Sequence, residues 1–186
     1  MSMTALPEPK IVFVGPPGAG KTTAIAAISD VAPVCTDVRN TDPALAKAQT
    51  TVGLDYGEVH LGEGERVRLF GTPGQDRFDF MWRILAQQAL GLVVLIDNSR
   101  PDPVGDLRRY LDAFAPTLDG GTACVIGVGR LESHAQPGLA DFNEALAEQG
   151  RVLPLLAVDV RQREDVLMLL DVVLAQVEAR QFTPEP

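Results

Sequence analysis

The feature that most constrains this sequence is an eight-residue pattern at positions 15–22, which reads GPPGAGKT. It matches the GxxxxGK[ST] pattern of a phosphate-binding P-loop, and it lies between an apolar run at 10–14 and a predicted helix at 22–28. Glycines let the backbone curl so that its N–H groups point at a phosphate chain, and the helix N-terminus adds partial positive charge. The pattern predicts a nucleotide-binding site formed by Gly15, Pro16, Pro17, Gly18, Ala19, Gly20, Lys21, Thr22 and Thr23.

Two side chains of this loop are predicted to carry its chemistry. The Lys21 ammonium is expected to reach the β and γ phosphates and to neutralise charge there, which makes it a candidate catalytic residue. The Thr22 hydroxyl is expected to bind Mg²⁺, the predicted cofactor. Pro17 has no N–H to donate and fixes its own φ, so it is expected to stiffen the loop without removing the phosphate site.

The remaining apolar runs predict the fold class. Strands are expected at 54–61, 66–70, 90–96, 122–128 and 152–158, and the last three are continuously apolar, as strands covered on both faces are. Helical periodicity separates them, so the chain is predicted to be α/β: a doubly wound P-loop NTPase sheet of about six strands with helices on both faces. The short, glycine-rich link between 54–61 and 66–70 predicts a hairpin and therefore one antiparallel edge strand.

Length and composition limit the organisation and the partners. A chain of 186 residues suits one domain, expected at 10–180 between flexible tails at 1–9 and 181–186. A formal net charge of −9 disfavours nucleic-acid binding, because the phosphate backbone would repel the protein. The first residues lack a signal-peptide pattern, and the longest apolar run is too short to span a membrane. We therefore expect a cytoplasmic protein without an integral membrane segment.

A second motif follows the predicted strand at 66–70. Residues 71–78 read GTPGQDRF and resemble the switch II segment of Ras-like small GTPases, usually written DxxGQE. The resemblance implies that the Gly74 N–H binds the γ-phosphate and that Gln75 is catalytic and orients the attacking water.

The similarity extends upstream, where residues 50–56 read TTVGLDY and look like the switch I stretch of Rab-like GTPases. It implies that Thr51 closes over Mg²⁺ and the γ-phosphate, with Thr50 as the fallback. Over about residues 10–178 the chain resembles bacterial Ras-like GTPases of the gliding and polarity type, whose partners are roadblock-fold proteins. The resemblance implies a molecular switch that binds GTP or GDP and signals to a protein partner, either a roadblock-type regulator or a GTPase-activating protein. Hydrolysis is expected to be slow, because no arginine finger can be assigned.

The sequence departs from the family pattern at the metal and at the base. Gly71 stands where most small GTPases have an Asp that holds Mg²⁺ through water. Two alternatives follow: Mg²⁺ binds more weakly, or Asp37, Asp42 or Asp55 substitutes for the missing carboxylate. Residues 129–132 read GRLE where the family has NKxD. Glu132 can still accept hydrogen bonds from the two guanine donors, and the aliphatic part of the Arg130 side chain can cover the purine. A glycine at 129 supplies no side-chain amide.

Two rival functions stay open at this point. The run LVVLID at 92–97 also fits the metal-side strand of an ATP-using P-loop enzyme, and a nucleotide-bound inactive scaffold would tolerate the missing Asp and Asn. The cluster of Phe78, Phe80, Met81 and Trp82 adds a predicted partner-docking surface, with Phe78 and Trp82 facing the core.

Overall fold

A computed structural model describes residues 8–39, 51–62, 64–74 and 79–181 of the chain. Within these ranges, seven strands form one sheet: β1 (Lys10–Val14), β2 (Val34–Arg39), β3 (Thr51–Gly62), β4 (Glu65–Gly71), β5 (Gly91–Asp97), β6 (Ala123–Gly129) and β7 (Leu155–Val158). The same part of the chain contains six helices: α1 (Lys21–Ile28), α2 (Asp79–Ala86), α3 (Pro103–Ala113), α4 (Ala115–Asp119), α5 (Leu139–Glu148) and α6 (Arg163–Gln181).

The strands follow the order β2-β3-β4-β1-β5-β6-β7 across the sheet. The pairs β1 with β4, β1 with β5, β5 with β6 and β6 with β7 are parallel, whereas β3 is antiparallel to both of its neighbours. The doubly wound α/β class and the single antiparallel strand predicted from the sequence are confirmed. A seventh strand, β2, lies outside β3 and takes the edge position.

Two apolar cores lie on the two faces of the sheet, because alternate residues of each central strand point to opposite sides. On one face, Ile11 and Phe13 of β1 pack with α1 and α6. On the other face, Val12 and Val14 pack with α2, α3 and α5. The strands β1, β5 and β6 are buried on both faces, which explains their continuous apolar sequence.

The parallel strands bring their carboxyl ends to one edge of the sheet. Residues that follow β1, β4, β5, β6 and β7 therefore meet there, and open α/β sheets bind their ligands at this edge. These loops include the predicted P-loop and the segments after positions 71 and 129.

Candidate functional site

The P-loop connects β1 to α1 in a conformation that depends on its glycines. Gly15, Gly18 and Gly20 have φ of 148°, 81° and 91°, which L side chains rarely adopt. A Cβ at Gly15 would lie 2.1 Å from the Leu95 carbonyl oxygen, and one at Gly20 would lie 2.6 Å from the Val160 side chain. Gly15 and Gly20 are therefore required both by their backbone angles and by their neighbours, whereas Gly18 is favoured by its backbone angle alone.

The Lys21 ammonium is turned into the loop. It donates to the Gly15 carbonyl oxygen at 2.7 Å and to the Pro16 carbonyl oxygen at 2.9 Å, and the side chain is 7% exposed. Burial lowers the pKa of Lys21 to about 8, because desolvation disfavours the ammonium; the Asp55 carboxylate opposes this shift and Arg100 adds to it. A phosphate chain in the loop would supply the anion that favours the charged form.

The segment after β4 packs directly on the P-loop. A Cβ at Gly74 would lie 2.5 Å from the Pro17 nitrogen and 2.7 Å from the Pro16 carbonyl carbon. Thr72 is buried beside β1, with its backbone N–H donating to the Phe13 carbonyl oxygen at 2.9 Å. The predicted switch II glycine thus lies against the phosphate loop, at a distance that no other residue type allows without movement.

Two aromatic side chains fix the position of this segment. The Trp82 indole N–H donates to the Pro73 carbonyl oxygen at 2.6 Å, and the Tyr110 hydroxyl donates to the Gly74 carbonyl oxygen at 3.3 Å. The two rings stack with their centroids 4.8 Å apart. Trp82 is only 2% exposed, which confirms the prediction that it faces the core.

The Thr22 hydroxyl has a carboxylate partner on β3. It donates to Asp55 Oδ2 at 2.6 Å, and Asp55 lies directly opposite Gly71 in the β3–β4 pairing. Hydroxyl and carboxylate oxygens are ligands that suit Mg²⁺, so this donor set fits the predicted cofactor. Among the described residues, no group of three or more His, Cys, Asp or Glu side chains could hold a metal ion by itself. Such an ion would therefore depend on nucleotide oxygens as well.

A cavity of about 570 Å³ extends from the P-loop towards the carboxyl ends of β5, β6 and β7. Its lining includes Gly18, Ala19, Gly20 and Thr23 on the loop side. Arg130 and Glu132, predicted to contact the base, line the opposite wall, together with Ala157, Val158 and Asp159. The structure thus brings the predicted phosphate and base residues to one continuous cavity.

The Arg130 guanidinium is held in place by residues at the end of β5. It lies 3.3 Å from Asp97 Oδ2 and donates to the Ser99 hydroxyl at 3.1 Å. Asp97 also accepts from the Ser99 backbone N–H at 2.9 Å and from its hydroxyl at 2.6 Å. Asp97 thus faces the base end of the cavity. These contacts do not support the position beside a metal ion that the ATP-using alternative required of Asp97.

The loop after β6 is tied to the end of β5 by a buried amide. The Asn98 side chain donates to the His134 carbonyl oxygen at 2.5 Å and to the Pro137 carbonyl oxygen at 2.9 Å. Its backbone N–H donates to the Gly129 carbonyl oxygen at 3.1 Å. Asn98 therefore fixes the wall that carries Arg130 and Glu132.

Charged residues surround the outer rim of the cavity. Arg161 donates to both carboxylate oxygens of Asp159, and these bonds lower the pKa of Asp159 to about 2. The Asp159 hydrogen bond and charge raise the pKa of Arg161, with a smaller contribution from Glu132. Glu132 is thus near enough to Arg161 for their charges to interact.

Several predicted residues lie outside the part of the chain that the structure describes. Gln75 and Phe78 fall there, as do Thr50 and Asp42. Thr51 is the first residue of β3 and pairs with Arg39 of β2, while the side chains of Thr51, Asp37 and Phe80 are not described. Their assigned roles stay predictions.

Sequence reasoning missed three residues at the base end of the site. Asp97 was assigned only to the rival function, while Ser99 and Asn98 were not singled out. No local motif marks them, because their roles arise from the pairing of β5 with β6, which brings residues 97–99 beside residues 129–137. Their position directly after a buried strand is the one signal available in the sequence.

Comparison with known proteins gives a match to the part of the chain that carries the P-loop and the segment after β4. The sequence model of the family described as 50S ribosome-binding GTPase matches residues 10–119. An uncharacterized protein of Methanocaldococcus jannaschii is 28% identical over 96 residues, which cover 50% of this chain. The match covers 53% of that archaeal protein, so the chain spans about half the length of this relative.

Proposed function

Because this chain belongs to the GTPase family whose model covers residues 10–119, we propose that it is a GTP-binding molecular switch that hydrolyses GTP slowly. Family membership implies guanine-nucleotide binding. The proposal adds that the bound nucleotide controls an interaction with a protein partner, as in the bacterial polarity and gliding GTPases that the sequence resembles. A roadblock-type regulator or a GTPase-activating protein is the proposed partner, and the cytoplasm is the proposed compartment.

The observation that carries this proposal is the cavity between the P-loop and the loop after β6. It is large enough for a nucleoside, and it begins at the residues that would bind phosphate. In the proposed complex the backbone of residues 15–20 and the Lys21 ammonium bind the phosphates, and the base lies between Arg130 and the residues after β7. Glu132 accepts from the two guanine donors.

The catalytic part of the proposal involves Lys21, Gln75 and the metal-binding hydroxyls. Lys21 neutralises phosphate charge, and Gln75 orients the attacking water. Thr22 and Thr51 would hold Mg²⁺, which would supply further charge stabilisation to the phosphates. The rate of hydrolysis is low because no arginine of this chain is assigned to the transferred phosphate. An arginine supplied by a partner would raise that rate by about 10³- to 10⁵-fold.

Among the described helices, none combines the length and apolar character that a membrane span requires. Partner docking is proposed at the start of α2, beside the predicted γ-phosphate contact of Gly74. Met81 is half-buried there and Ile84 is 59% exposed. GTP would order the preceding segment and GDP would release it, so the surface would be presented in one nucleotide state.

A fluorescent GDP titration of Lys21→Ala tests nucleotide binding. Lys21 makes a charge-assisted contact to phosphate, so its loss should weaken binding by about 1.5–3 kcal/mol, roughly 10- to 150-fold in Kd. Arg108→Ala is the matched control, because Arg108 is a cation on α3 whose partner is Glu148 on α5. A Lys21→Ala protein with the affinity of Arg108→Ala would refute the P-loop assignment.

Base preference is tested by comparing GDP with ADP. Adenine would place a bare ring nitrogen and a C–H where Glu132 needs two donors, so guanine should be preferred and Glu132→Ala should reduce that preference. Glu148→Ala is the carboxylate control, since Glu148 is exposed and pairs with Arg108. Equal affinity of the unaltered protein for GDP and ADP would favour the ATP-using alternative. The nucleotide that copurifies with the protein gives an independent answer.

A further inference from the structure

Arg100 is an arginine near the phosphate loop to which the proposed function gives no role. We infer that Arg100 is the arginine that this chain itself supplies to the transferred phosphate, and that its ion pair with Asp106 restrains it. The inference rests on the proposed function and deepens it. The rate of hydrolysis stays low because Asp106 competes with the phosphate for the Arg100 guanidinium.

Arg100 lies at the carboxyl edge of the sheet. Its backbone N–H donates to the Asp97 carbonyl oxygen at 3.2 Å, in a turn that begins at the last residue of β5. Asp97 lines the cavity that extends from the P-loop. Ligands of open α/β sheets bind at this edge, so the turn brings Arg100 to the part of the fold where a nucleotide would lie.

The Arg100 guanidinium is near enough to the Lys21 ammonium for their charges to interact. Burial is the main cause of the lowered pKa of Lys21, and the positive charge of Arg100 adds to it. Two cations that face each other repel, and an anion that binds both of them removes this cost. A phosphate chain at the P-loop is such an anion. The two charges therefore favour a phosphate site that Lys21 and Arg100 share.

A carboxylate on α3 holds the Arg100 side chain. Arg100 Nε donates to Asp106 Oδ2, and Arg100 Nη2 donates to Asp106 Oδ1 at 3.5 Å. The Asp106 side chain is only 12% exposed, and it also accepts from Arg109 at 3.5 Å. The contacts with Asp106 use Nε and Nη2 of Arg100, so they leave Nη1 outside the pair. The pair thus fixes where the guanidinium lies without using all of its donors.

Helix α3 also connects Arg100 to the segment that is proposed to contact the γ-phosphate. Tyr110 lies one helical turn after Asp106, so the two side chains are neighbours on one face of α3. The buried Tyr110 hydroxyl donates to the Gly74 carbonyl oxygen at 3.3 Å. The Gly74 N–H is the proposed γ-phosphate contact. Asp106 therefore holds Arg100 on the side of the site where the γ-phosphate would lie.

The reaction gives Arg100 a defined role. A water oxygen forms a bond to the γ-phosphorus, and the bond between that phosphorus and the β–γ bridging oxygen breaks. The bridging oxygen keeps the electron pair and leaves with GDP, while the proton that the water loses is taken up by the phosphate product. Hydrogen bonds from the Arg100 guanidinium would stabilise the negative charge that grows on the phosphate oxygens. Arg100 itself gives up no proton, because a guanidinium stays protonated.

Substituting the two partners of the ion pair should change the reaction in opposite directions. The readout is the single-turnover rate of GTP hydrolysis by the full chain, with GDP affinity and melting temperature measured for each variant. Asp106→Asn keeps the shape of the side chain and removes its charge. The rate should rise by about 10- to 100-fold, because a hydrogen bond between charged groups no longer restrains Arg100.

Arg100→Ala should lower the rate by at least about 10-fold. An arginine contact raises phosphoryl transfer by about 10³-fold or more, and the competition from Asp106 offsets part of that gain. Arg100→Gln keeps most of the side chain and should be as slow as Arg100→Ala. GDP affinity should change much less than the rate, because GDP has no γ-phosphate. The double variant Arg100→Ala/Asp106→Asn should have the rate of Arg100→Ala, since the arginine that Asp106 restrains is gone.

The matched controls are Arg108→Ala and Glu148→Gln, which break an exposed ion pair between α3 and α5. Both should hydrolyse GTP at the rate of the unaltered protein. A rate that falls or stays unchanged in Asp106→Asn would overturn the inference, because a purely structural ion pair loses function whichever partner is removed. An unchanged rate in Arg100→Ala would also overturn it, as would a double variant that is faster than Arg100→Ala.

These outcomes are separable from a failure of the proposed function. If the unaltered protein releases no phosphate from GTP, the proposed function fails before any variant is compared. If it hydrolyses GTP and Arg100→Ala does so at the same rate, only the role of Arg100 fails.

Discussion

The close approach of Gly74 to the P-loop makes Gly74→Ala the most informative stability variant of this protein. The added Cβ would lie 2.5 Å from the Pro17 nitrogen, while ordinary contact begins at 3.4 Å, so one backbone must move by about 0.9 Å. Both atoms nearest to it belong to the main chain and cannot rotate away. Overpacking of this kind costs about 1–3 kcal/mol of unfolding free energy. The Gly74 φ is not positive, so no conformational penalty adds to it.

Urea denaturation of the nucleotide-free protein measures this cost. With an m-value of about 2 kcal/mol/M, the midpoint should fall by about 0.5–1.5 M. Fluorescent GDP should also bind more weakly, because the displaced atoms belong to the phosphate loop. Gly138→Ala is the matched control: its Cβ would lie 3.8 Å from Asp141, an ordinary contact, and its φ is −86°.

The reasoning fails if Gly74→Ala and Gly138→Ala unfold at the same urea concentration. That result would mean that the segment after β4 does not rest on the P-loop. The proposed link between the γ-phosphate and α2 would then lose its structural basis.

Three further predictions follow from burial and from the proposed hydrolysis. In urea denaturation, Trp82→Ala should lower the free energy of unfolding by about 3–5 kcal/mol, because Trp82 is buried. Ile84 is exposed, so Ile84→Ala should change the free energy of unfolding by no more than about 0.5 kcal/mol. Equal effects of the two substitutions would contradict the packing of α2. Burial raises the pKa of Cys124 to about 12. In a Cys35→Ser variant, the Cys124 thiol should therefore react with a thiol reagent only when the protein unfolds. Rapid labelling of the native protein would refute the burial of Cys124. Gln75→Leu should bind GTP normally and hydrolyse it more slowly in single-turnover assays, and an unchanged rate would remove Gln75 from the mechanism.

The parts of the fold predicted correctly from sequence are those whose signal is local. The P-loop is contiguous, and β1, β5 and β6 are almost entirely apolar, so the loop and these strands were identifiable without knowledge of their neighbours. The edge strand β2 was missed, because its sequence, VCTDVR, has no sustained alternation or apolar run. Its strand conformation comes with its pairing to β3, which a single sequence does not display.

At the metal and base ends of the candidate site, too, local motifs were visible in the sequence, whereas contacts that depend on strand pairing were not. Sequence reasoning identified the missing carboxylate at Gly71 and left three acidic substitutes open. The register places Asp55 opposite Gly71, a neighbourhood that a single sequence does not display. At the base end, Arg130 and Glu132 were singled out because residues 129–132 stand where the family has NKxD. Asp97 was assigned only to the ATP-using alternative, because its contact with Arg130 is not visible in the sequence.

The position of the Lys21 ammonium has a consequence for how a nucleotide enters. In this structure two peptide carbonyls, those of Gly15 and Pro16, accept from the cation. Phosphate oxygens must therefore compete with these carbonyls for the Lys21 ammonium. When phosphate binds, its oxygens would replace the carbonyl oxygens as acceptors of the ammonium hydrogen bonds. The same two bonds join the Lys21 side chain to the start of the P-loop. A variant that lacks the ammonium therefore loses two hydrogen bonds within the loop as well as a charge.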